Sequence, residues 1–412
     1  MSLVFIKDIP YIEELNVFEL SKKVPTPFYI YSQKNIIDNY NYLKSTLKKS
    51  IYFSIKSNSN QAIITLLRSL GAGADVVSKE ELQRALSAKF KNSKIIFEGV
   101  GKSKEDLEFA IKKKIRQINI ESIEELKLIE KIAINLKYTV PIGIRLNPNI
   151  DAKTIDKIST GKKTDKFGID FNQLSTVCRI IKKSKSINLV GLSCHVGSQI
   201  FKLNVFEKTI VKMKKAINIL SALNLSIQHL DLGGGFGVDY KSGRNLDLSK
   251  LSLLIEKNFK NSEFDISFEP GRYIVANSGT LITKILTVKK NSSINFLITD
   301  AGMQTFIRPA MYNAYHKIIS LNKKGNKVKY TIAGPICESS DILSKNIQLP
   351  KQKIDNLLAI CDVGAYGSVM ASNYNSKCLP AEILINKSQF KIIRYQQKIN
   401  DLIDKDKIPM WL

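Results

Sequence analysis

Short apolar runs alternate with longer amphipathic segments between about residues 51 and 270. The runs are rich in β-branched and aromatic residues, which predicts buried strands, and the segments between them repeat apolar residues at helical spacing. The predicted strands are Ile51–Ile55, Ala74–Val77, Lys94–Phe97, Gln117–Ile120, Pro141–Leu146, Asn188–His195, Gln228–Asp231 and Asp265–Glu269. The predicted helices include Gln61–Leu70, Lys79–Lys89, Ile123–Asn135 and Phe206–Leu223.

Eight strand–helix units over roughly 220 residues have the size of a (β/α)8 TIM-like barrel. A doubly wound open sheet is the alternative, but it usually has fewer strands and a glycine-rich turn after its first strand. Here the glycine-rich turn follows the seventh predicted strand, where barrels often bind phosphate. The pattern therefore favours the barrel.

After Arg272 the pattern changes to strands without long intervening helices. The predicted strands of this region are Leu281–Val288, Asn295–Thr299, Lys327–Ala333, Asn356–Ile360 and Ala381–Ile385. A chain of 412 residues also favours two domains. We predict a barrel over residues 26–276 and a β domain, sandwich-like or barrel-like, formed by residues 277–412 together with the N-terminal segment 1–25.

The formal net charge of +26 raises the question of a nucleic-acid surface. The lysines, however, are scattered over nearly every helical segment and form no tail or arginine-rich stripe, so we interpret them as solvated helix faces and predict no nucleic-acid partner. The five cysteines are dispersed without a CxxC pair, which predicts a reducing compartment and no metal site. No signal peptide or membrane-spanning run is recognised, so we expect a soluble, cytoplasmic protein.

Lys56 follows an apolar strand directly, which places a primary amine at the mouth of the predicted barrel. The simplest alternative is a solvated lysine, because the chain has 63 lysines and arginines. Desolvation by the strand would instead lower the amine pKa and favour a nucleophile.

A second candidate is the run Asp231-Leu-Gly-Gly-Gly-Phe-Gly237, which places four glycines after a strand. A flexible turn is the alternative, but backbone N–H groups that approach an anion closely need absent side chains. The run therefore predicts phosphate binding, and its place in the chain favours a monophosphate over a dinucleotide.

Further polar residues follow the other strands. His195 ends the sixth strand and can present an imidazole to a flat ligand, while Ser198 offers a hydroxyl to phosphate; a core histidine is the alternative. Glu269-Pro-Gly-Arg272 ends the eighth strand. It could be a surface ion pair at a turn. Alternatively, the Glu269 carboxylate could lie beside a heteroaromatic nitrogen, with Gly271 near the phosphate and Arg272 facing a substrate anion.

Two clusters lie in the predicted β domain. Arg308 and Tyr312 are one helical turn apart, which suits the binding of a carboxylate. The segment 334–341 gathers Cys337, Glu338 and Asp341, although a capped turn would explain this composition equally.

These residues together resemble the fold-type III pyridoxal-phosphate (PLP) decarboxylases, nearly from end to end. The resemblance rests on motifs in a fixed order: Phe28–Tyr31, Gly71–Glu80, Ser159–Gly161, Lys166–Ile169, His195–Ser198, Gly233–Gly237, Glu269–Arg272 and Pro380–Glu382. The chain departs from the family at Lys377 and Leu379, where relatives tend to have arginines.

The resemblance implies a role for each matching residue. Lys56 would bind the PLP aldehyde covalently, with Asp75 nearby, His195 would stack on the ring, and Glu269 would pair with the ring nitrogen. The phosphate would be held by a set of small or polar residues and one arginine: Ser198, Gly234, Gly235, Gly271, Arg272 and Tyr366.

For the substrate, the resemblance implies that Arg272, Arg308 and Tyr312 bind carboxylate, and that Tyr366 also contacts the substrate. Glu338 would recognise the distal ammonium. Cys337 and Glu338 would come from a second subunit, which implies a homodimer with active sites at its interface.

The implied reaction is decarboxylation of meso-2,6-diaminopimelate to L-lysine and CO2, the last step of lysine synthesis by that route, with Lys56 or Cys337 returning the proton. Sister decarboxylases of ornithine, arginine or carboxynorspermidine remain alternatives, as does a PLP carrier without catalysis. A racemase is disfavoured because racemases of this type place arginine, where this chain has Glu269, near the ring nitrogen.

Overall fold

The computed structural model describes residues 3–151, 160–162, 164–241 and 245–412. Ser159, from the motif 159–161, lies outside the described residues. The chain divides into two compact units. We call residues 39–239 and 244–273 the barrel unit, and residues 1–38, 240–243 and 274–412 the β unit.

The described residues form strands and helices in the following order. The strands are β1 (Leu3–Ile6), β2 (Ile9–Ile12), β3 (Leu15–Asn16), β4 (Phe28–Ser32), β5 (Ser50–Ser54), β6 (Gly73–Val76), β7 (Ile95–Phe97), β8 (Gln117–Ile120), β9 (Val140–Asn147), β10 (Ile169–Asp170), β11 (Ile187–Ser193), β12 (His229–Asp231), β13 (Asp265–Phe268), β14 (Gly279–Asn291), β15 (Ile294–Thr299), β16 (Ile318–Ser320), β17 (Lys327–Ala333), β18 (Ile342–Pro350), β19 (Leu357–Cys361), β20 (Ala381–Asn386) and β21 (Gln389–Arg394). The helices are α1 (Val17–Lys23), α2 (Gln33–Leu47), α3 (Gln61–Ser69), α4 (Lys79–Ser87), α5 (Lys104–Lys112), α6 (Ile123–Asn135), α7 (Leu174–Lys183), α8 (Leu203–Ala222), α9 (Leu248–Phe259), α10 (Arg272–Val275), α11 (Arg308–Tyr312) and α12 (Asn400–Ile403).

Eight parallel strands close into a barrel in the barrel unit. Their order is β5-β6-β7-β8-β9-β11-β12-β13, and the pairing of β13 with β5 closes the ring. Each predicted strand of this region is present, and the boundaries differ by at most two residues. The predicted TIM-like barrel is therefore confirmed.

Local signals explain where the barrel helices begin. Ser103 and Asp106 form a reciprocal capping box at the start of α5, which satisfies two backbone N–H groups that the helix leaves unpaired. Asn60 caps α3, whose residues Ile63, Ile64 and Leu67 are buried. Spacing of apolar residues at one face thus attaches each helix to the barrel.

The barrel interior contains a layer of polar side chains. Gln117 and Asn119 of β8 are fully buried. Two strand glycines make room for them, since a Cβ at Gly143 would lie 1.9 Å from Asn119 Oδ1 and one at Gly191 would lie 2.9 Å from Gln117 Oε1. Glycine in these strands therefore serves close packing.

The β unit contains a mixed sheet in the order β18-β17-β15-β14-β4-β20-β21, to which β19 and β16 are added through β14. The second, β-rich region expected from the sequence is confirmed, and β1 to β3, β16, β18 and β21 are additional strands. β4 pairs with β14 and β20 of this sheet, whereas the predicted boundary at residue 26 groups Phe28–Ser32 with the barrel. Among the buried apolar residues of this unit are Ile12, Phe28, Ile282 and Ile383.

No helix in the described part of the chain is long and apolar enough to cross a membrane. All five cysteines lie in described segments and are free thiols.

Candidate active site

The carboxyl ends of the barrel strands carry the candidate residues of the barrel unit. Lys56 follows β5, Asp75 lies in β6, His195 follows β11, the glycine run follows β12 and Glu269 follows β13. Because the strands are parallel, these ends meet at one rim of the barrel. The structure therefore brings these residues together.

Lys56 lies in a 3₁₀ turn, Ile55–Ser57, directly after β5. Its Nζ is 2.9 Å from Oδ2 of the fully buried Asp75, and the lysine side chain is 37% exposed. Ser54 Oγ lies 2.7 Å from the same Asp75 oxygen. The amine is therefore held by a buried carboxylate at the rim while part of it still reaches open space.

His195 is partly buried and held from two sides. Its Nδ1 accepts a hydrogen bond from Gly234 N at 3.2 Å, and Thr160 Oγ1 donates to its carbonyl oxygen at 2.8 Å. Burial lowers the imidazole pKa well below its ordinary value, and the cations Arg145 and Lys56 lower it further. His195 is therefore neutral and carries its proton on Nε2.

The glycine run turns sharply against neighbouring backbone. Gly233 and Gly235 have φ values of +71° and +79°, which favour glycine. A Cβ at Gly234 would lie 2.1 Å from the carbonyl oxygen of Glu269, and one at Gly235 would lie 2.0 Å from that of Gly197. This loop excludes side chains, as a phosphate cradle requires.

Glu269 is buried at the end of β13. Burial raises the carboxyl pKa well above its ordinary value, and the nearby Asp231, Asp75 and Glu98 raise it further. Within the described residues, Oε1 has no hydrogen-bond partner. A buried acceptor in this state indicates that its partner is a ligand.

Arg272 and Ser198 lie side by side in the barrel unit. Arg272 Nη2 and Nε are 3.2 Å and 3.3 Å from Ser198 Oγ, and the arginine is buried. At Gly271, an added Cβ would lie 2.7 Å from Ser57 Oγ. The guanidinium of Arg272, the hydroxyl group of Ser198 and the closely packed backbone at Gly271 are together suited to binding a phosphate.

Sequence reasoning missed a buried ionic group beside this rim. Arg145 Nη1 of β9 lies 2.8 Å from Glu121 Oε1 and 3.4 Å from Glu98 Oε2, and all three residues are buried. The available signal was an arginine inside the apolar run Pro141–Leu146. A charged side chain in a buried strand needs a partner of opposite charge, so the sequence already indicated that Arg145 belongs to a buried ionic group.

In the β unit, Arg308 is buried at the start of α11. Its Nε donates to His316 Nε2 at 3.3 Å, and its guanidinium lies 5.7 Å from the centre of the Tyr312 ring. His316 also lines an open cavity of about 520 Å³ together with Ser340 and Lys345. Arg308 and Tyr312 are therefore neighbours in the structure, and their binding of a carboxylate stays a prediction.

Cys337 and Glu338 lie in an exposed loop of the β unit. Glu338 Oε1 accepts a hydrogen bond from Tyr374 Oη at 2.6 Å. The loop is anchored by Asp341, which accepts from Met303 N at 2.6 Å and from Ile336 N at 2.8 Å.

Tyr366 lies in the loop between β19 and β20 of the same unit. Its φ of +55° is uncommon for a residue with a side chain. A bulky residue in this conformation indicates a local constraint that the surrounding loop imposes.

The sequence profile described as "Pyridoxal-dependent decarboxylase, pyridoxal binding domain" matches residues 33–276. The chain belongs to this family. The diaminopimelate decarboxylase of Haemophilus influenzae is 37% identical over 398 residues, covering 95% of this chain and 96% of the relative. That of Helicobacter pylori strain J99 is 41% identical over 392 residues, covering 94% and 97%.

A solved structure extends the likeness to the backbone. The crystal structure of diaminopimelate decarboxylase from M. jannaschii in complex with L-lysine matches with a TM-score of 0.95 at 35% identity, covering 100% of this chain and 99% of that chain. The predicted resemblance to this family of decarboxylases is confirmed.

The family's cofactor is pyridoxal phosphate, and the rim residues fit it. Glu269 offers a buried oxygen that has no partner among the described residues, which suits the ring nitrogen. The glycine loop leaves the space that a Cβ would fill, which suits the phosphate. Lys56 supplies the amine.

Proposed function

We propose that this protein decarboxylates meso-2,6-diaminopimelate with pyridoxal phosphate, releasing CO2 and L-lysine. The observation that carries the chemistry is Lys56 beside buried Asp75, at the same barrel rim as the unpartnered oxygen of Glu269. The substrate follows from the relatives, which are diaminopimelate decarboxylases at 34–41% identity along nearly the whole chain. The lysine bound in the M. jannaschii structure agrees with L-lysine as the product.

When bound, pyridoxal phosphate supplies an electron-accepting ring that takes up the electron pair left on the substrate carbon as CO2 departs. Lys56 would hold the cofactor through its amine, and Asp75 orients that amine. Glu269 would keep the ring nitrogen protonated, while neutral His195 would cover the ring without adding a charge. These four residues therefore divide attachment, orientation, charge and stacking among them.

The phosphate would be held by Ser198, Gly234 and Gly235, together with Gly271 and Arg272. Ser198 would supply a hydroxyl group, and the three glycines would let the backbone approach the phosphate closely. Arg272 would supply the cation. Arg272 and Ser198 already lie within hydrogen-bond distance of each other.

Diaminopimelate carries two carboxylates and a remote ammonium, so its site needs cations and one anion. Arg308 and Tyr312 of the β unit, together with Arg272, supply carboxylate partners, and Tyr366 adds a hydroxyl. Glu338 is the proposed partner of the remote ammonium, because its carboxylate is exposed and already accepts a hydrogen bond. Lys56 and Cys337 remain the two candidates for returning the proton.

We further propose a homodimer in which Cys337 and Glu338 serve the active site of the partner subunit. A cytoplasmic location is proposed as well, which the free cysteines support. The division into a barrel over residues 26–276 and a β domain formed by the remaining segments stays a proposal.

Replacing Lys56 with alanine tests the chemistry. We expect Lys56→Ala to lose the visible absorbance of the bound cofactor and to reduce CO2 release by at least about a thousandfold, because the nucleophilic amine is absent. Spectra and a CO2 assay measure both effects, and Lys112→Ala, which removes an exposed lysine of α5, should change neither. Retained turnover in Lys56→Ala would contradict the assignment.

A substrate panel tests the specificity. Purified protein should release CO2 from meso-diaminopimelate at least about a hundredfold faster, in kcat/KM, than from ornithine, arginine or carboxynorspermidine. Each of these three compounds has one carboxylate and lacks the second one that the proposed arginines bind. Product identification by mass spectrometry should give lysine. A preference for any of the other three amino acids would replace the proposed substrate and keep the proposed cofactor chemistry.

A further inference from the structure

Three polar residues form a buried group in the barrel interior that the proposed chemistry does not use. His229 Nε2 of β12 lies 2.6 Å from Ser267 Oγ of β13, and Ser267 Oγ lies in short contact with Asp231 Oδ2. All three are fully buried, with at most 1% exposed. Because Ser267 has a single hydroxyl proton, it donates to one neighbour and accepts from the other.

The group continues into the polar layer of the barrel. His229 Nδ1 lies 3.1 Å from Gln117 Oε1, and Gln117 Nε2 donates to Asn119 Oδ1 at 2.8 Å. Asn119 Nδ2 donates to Glu98 Oε1. Glu98 Oε2 lies 3.4 Å from Arg145 Nη1. A continuous chain of hydrogen bonds therefore links the glycine-loop side of the barrel to Arg145.

The two side-chain amides fix the direction of this chain. Asn119 donates through Nδ2 to Glu98 and accepts through Oδ1 from Gln117 Nε2. Burial raises the pKa of Glu98, and Arg145 acts against this by favouring the ionised carboxylate. Gln117 then presents its oxygen to His229 Nδ1, which must be a donor. A neutral His229 therefore has Nε2 as an acceptor.

The direction continues to Asp231. In the neutral arrangement Ser267 donates to His229 Nε2 and its oxygen accepts from Asp231, which then carries the proton; with Asp231 ionised, Ser267 donates to Asp231 Oδ2 instead. The competing arrangement places this proton on His229 and leaves Asp231 ionised. That arrangement would bury a separated ion pair, which is costly in a low-dielectric interior.

The surrounding charges favour the neutral pair. His229 is influenced by the cation Arg116, which together with burial lowers the imidazole pKa to about 3. Asp231 is influenced by the anions Glu98 and Asp75, and burial is the main reason that its pKa is raised. Arg116 therefore opposes a protonated, cationic His229. Glu98 and Asp75 oppose an ionised Asp231.

We propose that Asp231 keeps the proton of the Asp231–Ser267–His229 group, so that Glu269 is the carboxylate that ionises when the cofactor binds. Asp231 and Glu269 are both buried, and among the neighbouring carboxyl groups an ionised Asp231 would raise the pKa of Glu269 most. Two adjacent buried carboxylates cannot both ionise cheaply. Asp231 also accepts from Gly233 N at 2.7 Å, so the same residue holds the glycine loop.

Asp231 is thus a positioning residue that acts through Glu269 and the loop. The inference rests on the proposed function only in assigning the cofactor ring nitrogen to Glu269. The protonation of Asp231 itself can be measured on cofactor-free protein.

Infrared spectroscopy of the cofactor-free protein, with aspartate labelled by ¹³C at its carboxyl group, provides that measurement. Near neutral pH we expect a protonated-carboxyl C=O band that shifts with the label, disappears in Asp231→Asn and persists in Glu98→Gln and Glu269→Gln. Absence of a labelled band, or its persistence in Asp231→Asn, overturns the proposal. A protonated-carboxyl band that does not shift with the label and is lost in Glu98→Gln, without a labelled band, would place the proton at the other end of the chain and also overturn it.

Cofactor titration followed by absorbance provides the second test. Asp231→Ala should weaken PLP binding by about tenfold or more, since Gly233 N and Ser267 lose a partner. Asp231→Asn should restore the affinity to within about threefold, because a neutral amide accepts from Gly233 and donates to Ser267 as a protonated acid does. Failure of asparagine to restore binding would show that a negative charge is needed at this position.

The two tests separate this inference from the proposed function. Failure of diaminopimelate turnover would leave the infrared band unchanged. Loss of the band with intact turnover would remove the role of Asp231 and leave the proposed reaction in place.

Discussion

His229 shows how strongly burial controls a single side chain in this protein. It lies inside the barrel, and its two ring nitrogens contact Gln117 and Ser267. Because it is buried, His229 stabilises the folded protein in its neutral form. Lys56 differs, because its charge is compensated by Asp75 and its side chain is partly exposed.

The burial of His229 predicts a pH dependence of stability. The unfolded chain binds a proton at this residue below pH ~6.5, whereas in the folded chain burial lowers the pKa to about 3. The unfolded state therefore binds the extra proton between these values, and stability is lost as the pH falls through this window. His229→Gln should remove that loss, which amounts to about 1.4 kcal/mol per pH unit.

Urea unfolding at several pH values between 6.5 and 4 measures this effect. The free energy of unfolding of the variant should fall less steeply on acidification than that of the parent protein. Parallel curves for the two proteins would show that His229 is protonated in the folded state.

At the scale of elements, the candidate functional residues of the barrel unit lie mainly in the turns that follow the strands. The helices and strands set the positions of these turns, but the turns themselves carry Lys56, His195, the glycine run and Glu269. The glycine run combines two constraints, which are a left-handed backbone and close approach to neighbouring carbonyl groups.

A pair of glycine variants separates the two constraints. Gly235 and Gly101 have similar φ values of +79° and +77°, but an added Cβ meets Gly197 O at 2.0 Å in the first case and nothing within 4 Å in the second. Gly101→Ala should reduce stability by about 1–2 kcal/mol through backbone strain alone. Gly235→Ala should reduce it further and should also weaken PLP binding by at least about tenfold.

Thermal unfolding and cofactor titration of both variants check this comparison. Equal effects of the two substitutions on PLP binding would mean that the loop does not form the phosphate cradle.

At the scale of the whole molecule, the candidate residues are divided between the two units. The barrel unit holds the cofactor candidates apart from Tyr366, and the β unit holds Arg308, Tyr312, Cys337, Glu338 and Tyr366. The proposed homodimer assigns Cys337 and Glu338 of one chain to the active site of the other.

Subunit complementation tests this assignment. Lys56→Ala and Glu338→Gln should each be inactive alone, but co-expressed chains should recover about a quarter of the parent activity, because half of the randomly formed dimers are mixed and each has one intact site. Activity of the unfractionated mixture measures this recovery, and the purified mixed dimer should show about half of the parent activity.

The matched control combines Lys56→Ala with Glu269→Gln. Both changes lie in the barrel unit, so every site in the mixed dimer would be defective and no activity should return. If the Lys56→Ala and Glu338→Gln pair also stays inactive, Glu338 does not act across subunits.

Much of the fold was predictable because its signals are local. Alternation of apolar and polar residues lies within each segment, so the eight barrel strands, including Gln117–Ile120 at its observed boundaries, followed from the sequence. The resemblance to the decarboxylase family likewise rested on short motifs such as Glu269–Arg272. Lys56 was recognisable because an apolar strand leads directly into it.

The sequence by itself therefore determined the barrel, the β-rich region, the family and the order of the candidate residues. Only the tertiary structure decided which side chains meet: that Lys56 pairs with Asp75, that Arg145 pairs with Glu121, and that His229 is connected to Asp231 through Ser267. These contacts depend on the pairing of neighbouring barrel strands, which brings together residues 19 to 38 positions apart in the chain. Periodicity within a segment carries no information about them, because each partner satisfies its own local pattern equally well without the other.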